Sequence, residues 1–220
     1  MVNSISQAIQ SIVDNDLSLQ DALQRGYGNY SAIARMIKPK VEDILERRVK
    51  LESLITSVKR SKVNYRLLQG SVVKIIAEST ISLRTDVAKI SVEKTKRNLG
   101  IMRKALADLG EAFLQVLEGA SAVTLIFDQR LFNKVYPLFG GEVLDKKQNL
   151  AAIIVHSPKE IIETPGCAIA FYRPLARSSV NIEETVSCFM DTIIVLPMEE
   201  VGKAFTALTE MIVGARKQLT

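Results

Sequence analysis

Among these 220 residues there are only two cysteines and one histidine. Cys167 and Cys188 lie in apolar stretches without CxxC spacing, which argues against a disulfide framework and a structural zinc. Read as small core residues, they point to a reducing compartment. No segment approaches the roughly 18 consecutive apolar residues of a membrane span. At the N-terminus Ile5, Ala8, Ile9, Ile12 and Val13 are interleaved with Gln, Ser and Asp, unlike a signal peptide. The expectation is a cytoplasmic protein without a membrane partner. Phosphate-cradling, dinucleotide-binding and nucleophile-elbow glycine motifs are all missing. His156 has no ligand cluster around it and reads as a surface residue. The acidic pairs Glu183-Glu184 and Glu199-Glu200 read as a strand start and a helix N-terminus. No catalytic residue, cofactor or metal is implied, and the chain is expected not to be an enzyme.

What is present is a globular composition, 47% hydrophobic and 24% charged. A chain of this length buries roughly 70% of its unfolded surface and needs no covalent staple. The net charge of +5 is unevenly spread. Residues 1–70 carry a balance of +4, residues 71–148 one of +3 and residues 149–220 one of −2. The front of the chain is therefore the part suited to a polyanion.

The first 65 or so residues predict short, punctuated helices. Ile5, Ala8, Ile9, Ile12 and Val13 form one apolar stripe. Ser18 and Asp21 resemble a capping box for a second helix carrying Leu19, Ala22 and Leu23. Gly26 and Gly28 stop it, and Asn29 is placed to cap a third helix in which Tyr30, Ile33, Ala34 and Ile37 share a face. Pro39 is expected to kink or restart that helix. A last helix from about Lys50 to Lys62 turns Leu51, Leu54, Ile55 and Val58 inward and Ser53, Thr56, Ser57, Lys59 and Arg60 outward.

From about Gly70 short β-branched runs alternate with helical stretches. Val72–Ala77 and Thr80–Leu83 predict a pair of strands. Then follow a strand at Val87–Val92, a helix at Lys96–Leu109, strands at Ala112–Leu117 and Ala122–Phe127, a helix at Gln129–Phe139 and a closing strand at Glu142–Leu144. That is the ferredoxin-like order β-α-β-β-α-β. It starts again with a strand at Leu150–Val155, a helix at Gly166–Ser178, strands at Val180–Val186 and Thr192–Leu196, and a helix at Glu199–Val213. The closing strand of this second copy is missing, and the open edge would invite a second copy of the chain. The fold class is α+β, divided into a helical domain (1–68), a ferredoxin-like unit (69–148) and a second such unit (149–220).

The residues Thr164-Pro165-Gly166, the amphipathic helix ending in Leu175-Ala176-Arg177-Ser178-Ser179, and Val180-Asn181-Ile182 resemble the signature of ACT domains. Ser187-Cys188 followed by Asp191-Thr192-Ile193-Ile194-Val195 looks like the strand-turn-strand that follows, closest to the ACT modules of aspartokinases. The asparagine stands 15 residues after the glycine. The first amides after Gly166, on Cys167 and Ala168, would offer free donors to an anion such as an α-carboxylate. The resemblance implies an amino-acid ligand held by Thr164, Pro165, Gly166, Cys167 and Ala168. Asn181, Ile182 and Glu183 would face it, often from a neighbouring module, with Glu183 as partner for an α-amino group. It also implies a homodimer paired through the ACT sheets.

Two function classes follow. The helical domain, with Arg47-Arg48 ahead of a helix exposing Ser53, Thr56, Ser57, Lys59 and Arg60, suits a helix-turn-helix reader of DNA, which makes the chain an amino-acid-responsive transcriptional regulator. The alternative is a regulatory subunit or interaction protein that ignores DNA and controls a metabolic enzyme.

Overall fold

The computed structural model describes residues 4–61, 70–108 and 113–220, without the side chains of 106–108. It divides into two compact units, Met1–Gln69 and Gly70–Thr220.

The first unit comprises α1 (Ile5–Asp14), α2 (Leu17–Gln24), α3 (Tyr30–Leu45) and α4 (Leu51–Arg60). Ser4 caps α1, and Asn29 caps α3 by accepting from the amides of Ser31 and Ala32. The cap of α2 is Asp16, whose carboxylate accepts from Ser18 N and Leu19 N, and not Ser18. Asp21 serves no capping box; Arg25 Nε and Tyr27 Oη donate to its carboxylate. Pro39 lies inside a continuous α3, so it costs one ladder bond without restarting the helix. The apolar stripes converge on one core of Ala8, Ile9, Ile12 and Val13 with Leu19, Ile33, Ala34, Ile37, Val41, Val49, Leu54 and Val58.

The second unit begins with α5 (Gly70–Glu78), the segment that was expected to hold a strand at Val72–Ala77. Val72, Ile75 and Ile76 are buried, and their i, i+3, i+4 spacing is a helical stripe, so burial on one helix face overrides β-propensity here. After it come β1 (Thr80–Glu93), α6 (Lys96–Asp108), β2 (Leu114–Glu118), β3 (Ala122–Asp128) and the short α7 (Phe132–Val135), which is flanked by 3₁₀ turns. Then follow β4 (Val143–His156), α8 (Cys167–Arg177), β5 (Glu184–Cys188), β6 (Asp191–Pro197) and α9 (Val201–Leu219). The expected strand near Val180 starts only at Glu184, and the last helix runs to Leu219.

All six strands form one antiparallel sheet in the order β2-β3-β1-β4-β6-β5. Its centre is a pair of 14-residue strands, β1 and β4. Each bends at a residue in the left-handed region, Asp86 (φ 56°) and Asn149 (φ 56°). The strands expected at Thr80–Leu83 and Val87–Val92 are thus the two halves of β1, and those expected at Glu142–Leu144 and Leu150–Val155 belong to β4. The C-terminal half of β1, with α6, β2, β3, α7 and the start of β4, makes one βαββαβ unit. The end of β4, with α8, β5, β6 and α9, makes the second.

The edge that the second unit leaves open is filled from within the chain. Thr80–Arg84 pairs with Ala152–His156, the position a closing strand would take. The expectation that a neighbouring copy covers that edge is therefore overturned. A strand bonded in cis needs no partner.

One face of the sheet carries helices. Ala88, Ile90, Val92, Val123, Leu125 and Phe127 pack with Met102, Phe132, Val135 and Phe139. The opposite cluster, Val87, Ile126, Leu150, Ala152, Ile193 and Val195, contains no helical residue among those described.

Candidate functional site

α8 starts at Gly166 with φ 97°, a left-handed conformation that glycine adopts without a Cβ clash, and no side chain caps it. Pro165, Gly166 and Ala168 are exposed, Thr164 is half-buried and Cys167 is buried in the inward stripe with Ala170, Phe171 and Leu175. The Thr164 hydroxyl donates to Glu160 O at 2.7 Å, which ties the turn down. No side-chain oxygen accepts from the first amides of α8, so this helix start is uncapped. In the first βαββαβ unit the corresponding helix start is closed, because Thr95 Oγ1 accepts from Asn98 N at 3.1 Å.

Asn181, Ile182 and Glu183 lie at the other end of α8. Eleven helical residues separate the two groups, which is roughly 16 Å of helix at 1.5 Å per residue. One copy of the chain therefore does not bring the expected site together. Asn181 is exposed and Ile182 half-buried.

Glu183 is committed elsewhere. Its side chain, 7% exposed, accepts from Lys89 Nζ at 3.4 Å and from Lys147 Nζ. Lys89, itself 7% exposed, also meets Asp145 at 3.1 Å and Glu184 at 3.5 Å. It pairs with Ile126 across β1 and β3, so it stands on the face of the Val87–Ile126 cluster, where β4 and the start of β5 bring the three carboxylates to it. Burial alone would pull the Lys89 pKa down. The hydrogen bond to Asp145, the charges of Asp145 and Glu184 and the hydrogen bond to Glu183 outweigh it and hold the value above that of an ordinary lysine. Burial likewise pushes Glu183 up, and hydrogen bonds from Lys147 and Lys89 more than reverse it. Both oxygens of the carboxylate expected to take an α-amino group already hold lysines. Sequence reasoning missed this network because its ion-paired members lie 36 to 95 positions apart. The one local signal was Lys89, a charge between the apolar Ala88 and Ile90.

A second buried carboxylate, Asp128 at the end of β3, accepts from Arg130 Nε at 2.9 Å and lies 3.3 Å from Arg84. The Arg130 hydrogen bond holds its carboxyl far below the usual range. Arg84 also stacks over the Phe113 ring at 4.9 Å.

Cys188 is exposed on β5 instead of buried, while Cys167 is in the core. His156 is exposed and pairs with Asp191 through Nδ1 at 2.6 Å. Among the described residues no cluster of His, Cys, Asp and Glu could hold a metal, and no helix is long and apolar enough to cross a membrane.

In the helical unit Arg47 and Arg48 are exposed between α3 and α4, and Ser53, Thr56, Lys59 and Arg60 are exposed on α4, with Ser57 half-buried. Thr56 Oγ1 donates to Glu52 O at 2.9 Å, so its proton is used within the helix.

No protein-family model and no curated protein matches the sequence. Solved structures do share the fold. The regulatory subunit of aspartate kinase from Thermus thermophilus, in its ligand-free form, superposes with a TM-score of 0.51 at 16% identity, over 60% of this chain and 95% of its own. Aspartate kinase from Synechocystis gives a TM-score of 0.53 at 16% identity over 62% of this chain. The aspartate kinase from Clostridium acetobutylicum, described as an allosteric enzyme, gives 0.50 at 17% identity over 60%. The match spans only 27% of the Synechocystis enzyme and 34% of the Clostridium one. The paired βαββαβ units of this protein thus have the ACT-type fold of aspartate kinase regulatory domains.

Proposed function

We propose that the protein is a small-molecule-responsive regulator, without catalytic activity, whose ACT-type pair senses an amino acid and whose helical unit binds DNA as a transcriptional regulator. The observation that carries this reading is the exposed, uncapped start of α8 at Gly166, in a fold shared with regulatory domains. Donors at a helix start suit an α-carboxylate. Thr164, Pro165, Gly166, Cys167 and Ala168 form the carboxylate end. Asn181 and Ile182 belong to the facing wall supplied by a second copy, because within one copy they lie a helix length away. Exposed Ile162, Ile169 and Phe189 around the same unit supply apolar surface for such a homodimer. The ligand acts only if it binds the two output states with different affinity.

A thermal-shift screen of the twenty amino acids on the full chain tests the sensor. Ligand at about 100 times its dissociation constant adds about 2.7 kcal/mol, a rise of roughly 5–10 °C for a unit of this size. If no amino acid moves the transition, the reading fails. The match over 95% of a regulatory subunit of aspartate kinase favours a second reading, a regulatory subunit of a metabolic enzyme. That reading requires co-purification of the enzyme and indifference to DNA.

A further inference from the structure

The outward helix of a DNA-reading unit need not be the last one, and the charge and hydrogen bonding of the first unit favour α3 over α4. We infer that α3 enters the major groove of duplex DNA and reads base edges with Arg35 and Met36, while Arg47 and Arg48 hold the phosphates. This rests on the DNA-binding reading above and assigns its reading element.

Three observations converge. First, α2, the turn from Arg25 to Asn29 and α3 form a helix-turn-helix in which the turn is fixed. Gly26 adopts φ +73°, and a Cβ on Gly28 would meet Ile33 Cδ1 at 3.0 Å and Ala22 O at 3.2 Å. Gly28 N also donates to Ala22 O at 3.1 Å, and Asn29 caps the second helix. Second, the N-terminal part of α3, the part that would approach base edges, is free of acidic residues, and Glu42 and Asp43 lie in its last turn. The twenty residues from Ala22 to Val41 contain no Asp or Glu and carry Arg25, Arg35, Lys38 and Lys40. Arg25 pairs with Asp21 and Lys38 with Glu42, whereas Arg35 and Lys40 have no ion pair among the described residues. Ala32 and Arg35 are exposed near the start of the helix, and Met36 is 61% exposed. A helix with small residues at its start can approach the groove floor. An arginine there can grip a guanine through O6 and N7, and an apolar side chain can touch a thymine methyl.

Third, α4 is a poorer reader. Its first turn carries Glu52, which repels phosphate. Thr56 donates its proton to its own backbone, and Lys59 and Arg60 lie at the far end. These two, with Arg47 and Arg48, suit sequence-independent phosphate contact.

The test uses the full chain, a pool of random 30-base-pair duplexes carried through rounds of selection, and fluorescence anisotropy at 50 and 200 mM salt. The wild type should enrich a preferred sequence and lose affinity with salt. Arg35→Ala should weaken binding to that sequence about 10- to 100-fold, flatten the preference at one base pair and leave binding to unrelated duplex within about threefold. Lys59→Ala with Arg60→Ala should weaken all duplexes alike. Because Arg35 is exposed, an unchanged melting temperature is the control for folding. If Ser53→Ala with Thr56→Ala erases the preference and Arg35→Ala does not, DNA binding stands and the assignment to α3 falls. A pool yielding no preferred sequence, or preference for RNA or single strands over duplex, also overturns it. No duplex binding at 50 mM salt removes the DNA reading and this assignment together.

Discussion

Replacing Lys89 by methionine removes the one cation that three carboxylates share while keeping the side chain's length. The Lys89 and Glu183 side chains are each 7% exposed, so this is a buried pair, and deleting one member leaves the other charged and poorly solvated. Such a loss costs about 3–5 kcal/mol. Asp145 is 46% exposed and can rehydrate, and Glu183 keeps Lys147, so the lower end, about 3 kcal/mol, is expected. For 150–250 residues each kcal/mol is worth about 2–4 °C, which gives a fall of roughly 6–12 °C. Circular-dichroism melts of the full chain at pH 7 measure it. The pH dependence supplies an independent check. Asp145 and Glu183 have folded values below their ordinary 3.8 and 4.5. Their contribution is therefore complete above those values and fades as pH falls through the folded ones. Lys89 is raised above 10.5, so its contribution is complete below that and fades at higher pH. The gap between wild type and Lys89→Met should thus be widest near neutrality and close in acid. A variant within 1 kcal/mol of wild type at pH 7, or a gap that persists unchanged at pH 3, would refute the reasoning.

Asp128→Asn should destabilise the second unit by about 2 kcal/mol, the worth of hydrogen bonds to a charged group, as read by denaturant midpoint. Because the folded carboxyl is held below its usual 3.8, the wild type should lose this advantage only as pH falls through that range, where the two proteins converge. Gly28→Ala should lower the stability of the helical unit by about 1 kcal/mol, since the new Cβ presses on Ile33 and on a backbone carbonyl. A neutral effect there would show that the turn is not the fixed element described.

The helical unit was largely legible in the sequence, because its signals are local. Apolar residues three and four apart define each inward face, and Asn29 and the glycines mark ends whatever the partner. Ser18 was expected to cap α2 and Asp16 does so instead, a choice set by backbone geometry that the letters do not carry. The order of helices and strands after α5, and the likeness of the Gly166 segment to ACT modules, were legible for the same reason. The segment Val72–Ala77 was not, since a short apolar run fits either period and packing against α9 decided for helix. The continuity of β1 and β4, the filling of the second unit's open edge by Thr80–Arg84, and the capture of Glu183 by Lys89 all depend on residues distant in sequence. A strand's partners and a charge's neighbours are set by how the whole chain closes, and only the tertiary structure decided them.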